Sequence, residues 1–111
     1  MIFPDTSPRG IEIEGIKENW WFGEGAGYYL DATQEKYSKH FNMYTYITEE
    51  LPRVVENHFP IDSNRKSVTG MSMGGLGALN VFLKSSGLYK SVSAFCPIAS
   101  PSLTEFGQNA F

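Results

Sequence analysis

Cysteine is nearly absent: Cys96 is the only one in 111 residues. That excludes an internal disulfide framework and a cysteine metal cluster, and it predicts a reducing compartment. Long apolar runs are missing too. No stretch approaches the roughly eighteen apolar residues of a membrane span, so a soluble protein is expected. The opening Met1-Ile2-Phe3-Pro4-Asp5 has neither a basic n-region nor an apolar h-region, and no signal peptide is expected there. Basic charge is scarce: nine Lys and Arg stand against twelve Asp and Glu, a formal net charge of -3. Nucleic acids and anionic membranes call for clustered positive charge, so neither is a predicted partner.

Charge is also missing from one half of the chain. Residues 67–111 carry only Lys84, Lys90 and Glu105, so this stretch reads as interior material wrapped by other elements. No internal repeat or low-complexity tract is visible. What is present is apolar: 41% hydrophobic and 14% aromatic residues suffice for a modest core and exclude intrinsic disorder.

Ile2-Phe3-Pro4 reads as the tail of a strand, and Pro4 to Gly10 as turn chemistry. Residues 11–33 mix glycines with Trp20, Trp21, Phe22, Tyr28 and Tyr29, the pattern of a long ordered functional loop. Asn42 is positioned to cap a helix from about Met43 to His58, with Pro52 kinking it or marking a late start. Ser67-Val68-Thr69 reads as a strand, Met73 to Lys84 as a buried helix closed by Gly87, and Ser91 to Ile98 as a second strand. Strand, apolar helix and strand predict a parallel βαβ unit and an α/β fold. Cys96 is then expected to be a buried small hydrophobe on a central strand.

The junction between the first strand and the helix is Gly70-Met71-Ser72-Met73-Gly74-Gly75. G-x-S-x-G at residues 70–74 in this context is a nucleophile elbow. A serine on a sharp strained turn projects its hydroxyl above the sheet, and flanking glycines remove Cβ atoms that would collide with neighbouring backbone. The helix N-terminus lends positive charge to a developing oxyanion, with the Met73 N–H as a natural donor. Gly75 and Gly77 allow close helix packing. The bland alternative is a glycine-rich turn that holds a phosphate at a helix N-terminus.

A serine nucleophile needs a base and a carboxylate to orient it. No histidine follows Ser72 and no aspartate follows Asp62, and Glu105 is the only acid downstream. His40 and His58 both precede the serine. His58 reads as a helix-terminal capping or solvated group, and His40 as a loop residue. The chain therefore holds a nucleophile position without its proton-transfer machinery.

Five segments together resemble the S-formylglutathione hydrolase (esterase D) family. They are Pro4-Asp5-Thr6-Ser7-Pro8-Arg9-Gly10; Phe22-Gly23 with Gly25-Ala26-Gly27-Tyr28-Tyr29 and Asp31-Ala32-Thr33; Met43-Tyr44-Thr45-Tyr46 with Thr48-Glu49-Glu50-Leu51-Pro52; the elbow; and Tyr89-Lys90-Ser91-Val92-Ser93-Ala94-Phe95. Two positions depart: Trp21 stands where the family usually has Asp, and Met71 where a polar residue is usual. The resemblance implies a partial α/β-hydrolase fold, a mostly parallel sheet with flanking helices, incomplete at both ends. Residues 1–111 would be the central part of a single domain.

The implied activity is hydrolysis of the small-molecule thioester S-formylglutathione to glutathione and formate, in formaldehyde detoxification. Ser72 matches the family nucleophile and Met73 the elbow oxyanion donor. The implied protein is cytoplasmic, uses no metal or organic cofactor, and is compatible with a homodimer at full length. The family's Asp and His would fall beyond Phe111, and its second oxyanion donor before Met1. Trp20 and Tyr28 are candidate borders of the acyl or glutathione pocket, against the alternative that they pack the loop onto the body. Arg9 is expected in a structural ion pair. Alternatives are a non-catalytic truncated product, another G-x-S-x-G serine esterase of acyl-ester or acetylxylan type, and a phosphate-binding βαβ module.

Overall fold

The computed structural model describes residues 1–110. Residues 1–34 contain no helix, and the strand tail expected at Ile2-Phe3-Pro4 is absent. No strand lies beside it among the described residues, and Met1 and Phe3 are exposed. The Pro4–Gly10 turn is held by side chains instead. Asp5 Oδ1 accepts the Thr6 N–H at 3.0 Å and the Arg9 guanidinium at 2.7 Å, the ion pair expected for Arg9. Arg9 also donates to the Glu24 carbonyl at 3.0 Å, and the buried Ser7 hydroxyl donates to the same oxygen. The aromatic glycine loop is thereby tied to the turn. Gly23 has φ +60°, and a Cβ there would overlap the Ile16 carbonyl, so this crossing requires glycine. Ile16, Ala26, Tyr28, Phe41 and Met43 are buried.

After the single turn α1 (Glu35–Ser38), a helical stretch runs through α2 (Met43–Thr45), a π-helical turn (Tyr46–Glu50) and α3 (Leu51–His58). Asn42 precedes it as expected but does not cap it. Its amide donates to the Ser38 carbonyl at 2.9 Å. Asp31 performs the capping: an antiparallel bridge pairs it with Asn42, and its carboxylate accepts the Thr45 N–H at 3.0 Å and the Thr45 hydroxyl at 2.6 Å.

The π turn explains how Pro52 fits. The Leu51 N–H reaches back five residues to the Tyr46 carbonyl. The next bond in that series would join residue 52 to the Ile47 carbonyl, and proline has no N–H to give. Tyr89 fills the gap, its hydroxyl donating to Ile47 O at 3.0 Å. Pro52 thus lies in the first turn of α3, in line with a late start of the α-helix, and does not break the helical stretch. Ile47 and Val55 are buried, while Val54 and Phe59 are exposed.

The second half is the βαβ unit read from the sequence. Strands β1 (Ser67–Met71) and β2 (Ser91–Phe95) pair in parallel from Ser67↔Ser91 to Met71↔Phe95, joined by helix α4 (Met73–Lys84). Val68, Gly70, Val92 and Ala94 face one side and are partly covered, and α4 packs against both strands. The opposite face, with Met71 and Phe95, is exposed, so the stretch is interior on one side only. Likewise α4 buries Gly75, Gly77, Ala78 and Val81 but leaves Leu83 exposed. A 3-10 turn (Pro101–Leu103) and helix α5 (Glu105–Ala110) follow.

β2 ends at Phe95 rather than Ile98. Cys96 has φ +35° and is exposed, which corrects the expectation of a buried strand cysteine. The chain turns there so that Phe95 and Ile98 can both bond Ser72, as the next subsection describes.

Candidate active site

Strand β1 delivers Ser72 to the N-terminus of α4, where it occupies the N-cap with φ 55° and ψ −117°. A non-glycine residue in this region is strained and persists only when its surroundings hold it. Backbone bonds on both sides do so. The Ser72 N–H donates to the Phe95 carbonyl at 3.0 Å. The Ser72 carbonyl accepts from the Leu76 N–H at 3.1 Å and the Ile98 N–H at 3.3 Å. The turn after β2 therefore clamps the elbow, a contact the sequence reading missed. Its one signal is Pro97, which marks the strand's end.

Gly70 meets its expected role: a Cβ there would overlap the Gly74 backbone. Gly75 lies against Phe95 O and Pro97, where an added Cβ would sit 2.9 and 3.0 Å from them. Gly74 differs from expectation, since a Cβ there would meet nothing within 4 Å. Its glycine is not demanded by the described neighbours.

Ser72 is exposed, and no hydrogen bond engages its hydroxyl among the described residues. Met73 is the first residue of α4, so its N–H has no acceptor within the helix. That N–H and the positive end of the helix lie next to the serine, the arrangement that stabilises an oxyanion. Neither histidine joins this group. His58 Nδ1 lies 2.7 Å from the Val54 carbonyl at the end of α3, as a terminal capping contact. His40 lies exposed in the turn after α1. Glu105 opens α5 and is exposed. Among the described residues, no group of three or more His, Cys, Asp or Glu is arranged to hold a metal ion. Among the described residues, no helix is long and apolar enough to cross a membrane.

The two aromatic candidates separate. Tyr28 is buried, and its hydroxyl donates to the Trp21 carbonyl at 2.8 Å, which packs the loop on itself. Burial raises its pKa above the usual phenol value. Trp20 is 80% exposed and meets Trp21 edge-on, with ring centroids 5.7 Å apart. Open grooves run along residues 11–18 and between residues 10–13 and 35–40, and no elbow residue lines either one.

The whole chain, residues 1–111, matches the family model described as "Putative esterase". It is 52% identical over 111 residues to S-formylglutathione hydrolase of Bos taurus, and 49% identical to those of Arabidopsis thaliana and Paracoccus denitrificans. All of this chain is covered in each case, against 39% of the relative. The chain thus spans about two fifths of the length of these curated relatives. A solved structure, titled as a structural and kinetic study of an S-formylglutathione hydrolase from Agrobacterium tumefaciens, superposes with a TM-score of 0.88 at 49% identity. That match covers 96% of this chain and 38% of the other.

Proposed function

Since the chain belongs to the esterase family and folds as part of an α/β-hydrolase, we propose that it is the nucleophile-bearing part of a serine thioesterase. The substrate is S-formylglutathione and the products are glutathione and formate, a step of formaldehyde detoxification. One observation carries the reading: Ser72 is held at φ 55° between β1 and α4, in a chain half identical to enzymes of that name.

Ser72 Oγ attacks the formyl carbonyl while a histidine takes its proton. The oxyanion meets the Met73 N–H and the helix N-terminus. The thiolate of glutathione leaves and takes a proton from the imidazolium. Water, deprotonated by the same histidine, then attacks the formyl-enzyme, and formate departs. Residues 1–111 form the central part of one domain in this reading. The histidine, its carboxylate and a second oxyanion donor come from segments outside these residues. Trp20, exposed on its loop, is the aromatic available to border a bound glutathione, whereas the bonded and buried Tyr28 supports loop packing. In this reading the intact enzyme works in the cytoplasm without a metal or organic cofactor, and its full-length form is compatible with a homodimer.

A second reading concerns the 111-residue chain by itself: it does not turn over. No hydrogen bond links His40 or His58 to Ser72 among the described residues, which favours this reading. The test compares the chain with a protein extended by its flanking coding sequence, offering each S-formylglutathione and a chromogenic acetate ester. The extended protein should hydrolyse both and the short chain neither. An extended protein silent toward both would sink the hydrolase reading, and hydrolysis of the acetate alone would favour another serine esterase.

A further inference from the structure

Tyr28 and Tyr29 are consecutive non-glycine residues with φ 51° and 55°. Left-handed backbone at two adjacent tyrosines is costly and is retained only where the surroundings impose it. The pair brings Tyr29 onto helix α4. A Cβ added at Gly77 would overlap the Tyr29 ring, with Tyr29 Cγ at 2.8 Å and Cβ at 3.0 Å. Gly77 and Met73 lie four residues apart, on one face of α4. Gly75 seats the same helix against Phe95 and Pro97. The helix that carries Ser72 and the Met73 N–H is thus gripped at two glycines, by the sheet end on one side and by the aromatic loop on the other.

We propose that Tyr29 is a positioning residue for the elbow: its ring against Gly77 fixes where α4 presents Ser72 and the Met73 N–H. This rests on the thioesterase reading of Ser72. The strained Tyr28-Tyr29 backbone is held by the loop beneath it. There Tyr28 is buried and bonded to Trp21 O, and the Gly27 N–H donates to Thr6 O at 3.2 Å. Partial burial and the nearby Asp5 carboxylate raise the Tyr29 pKa, so the ring acts as a neutral packing group. The Tyr29 ring and Cβ, rather than its hydroxyl, meet Gly77.

The test uses the extended protein with S-formylglutathione and follows kcat, KM and melting temperature. Displacing reacting groups by a fraction of an ångström to an ångström costs up to about 100-fold in rate. Tyr29→Ala and Gly77→Ala should each lower kcat about 10- to 100-fold with KM changed less than about threefold. Tyr29→Phe should retain kcat. The double variant Tyr29→Ala/Gly77→Ala should be faster than Gly77→Ala alone, because the added methyl enters the space the ring has left. Where Tyr29→Ala melts below the assay temperature, Tyr29→Leu is read by the same criteria. A folded Tyr29→Ala with undiminished kcat overturns the proposal. So does a Tyr29→Phe variant as slow as Tyr29→Ala, or a double variant at the product of the two single losses. Absence of turnover in the unsubstituted extended protein strikes the thioesterase reading instead, so the two failures are distinguishable.

Discussion

At residue 70 a methyl group has nowhere to go. Gly70→Ala would drive a Cβ into the Gly74 backbone, whereas Gly74→Ala meets open space and replaces glycine with a better helix former. Gly70→Ala should therefore cost about 1–3 kcal/mol and Gly74→Ala less, compared by urea denaturation of the extended protein. Equal losses would mean that the elbow's glycines are not set by this close approach. A second residue-scale prediction concerns Asp5. Hydrogen bonds from Arg9 and from the Thr6 N–H hold its carboxyl below the usual carboxylate range. A depressed folded pKa stabilises above the unfolded value and loses that contribution as pH falls through the folded one. The destabilisation of Asp5→Asn should thus be present at neutral pH and fade below about pH 4, with a small amplitude because the pair is exposed. The strained turn at Ser72 and the Arg9 ion pair were legible in sequence because short-range chemistry defines them. The capping of Thr45 by Asp31 was not. It depends on a bridge between residues 31 and 42, and Asn42 next to the helix was the more obvious candidate.

Helical spacing was legible at the scale of elements, and α4 runs from Met73 to Lys84 as its pattern predicts. The strand ends were not, because β2 stops where Phe95 and Ile98 are needed by Ser72, a demand from another element. The π turn before Pro52 was likewise hidden, since its missing donor is replaced from residue 89. That replacement makes a prediction. Tyr89→Phe leaves the Ile47 carbonyl without its partner and should cost about 1–3 kcal/mol. In a Pro52→Ala background the restored N–H can serve Ile47, so the same Tyr89→Phe change should cost less. A double-mutant cycle in urea measures the coupling, and strictly additive losses would refute the link. Burial raises the Tyr89 pKa. A raised phenol pKa stabilises below the unfolded value near pH 10 and loses that contribution as pH rises through the folded one. Tyr89→Phe should therefore narrow the stability gap at strongly alkaline pH.

The fold class was legible for the whole molecule because strand, apolar helix and strand have one common parallel solution. The nearly uncharged second half signalled burial, yet in this chain one face of the sheet stays open. Met71 is 69% exposed, Phe95 61% and Leu83 73%, and each strand has one edge without a partner among the described residues. Exposed apolar side chains and free strand edges promote association. The 111-residue chain should therefore bind a hydrophobic dye and self-associate with rising concentration, and the extended protein should do neither. A monodisperse short chain without dye binding would contradict this. The central claim is that Ser72 is a nucleophile whose base lies outside these residues. Intact-mass spectrometry after exposure to a fluorophosphonate probe tests it most directly. The account predicts one adduct per extended protein, mapped to Ser72 and lost in Ser72→Ala, and none on the 111-residue chain. Labelling of the short chain at Ser72 at a comparable rate, or an adduct on the extended protein at another residue, would contradict it.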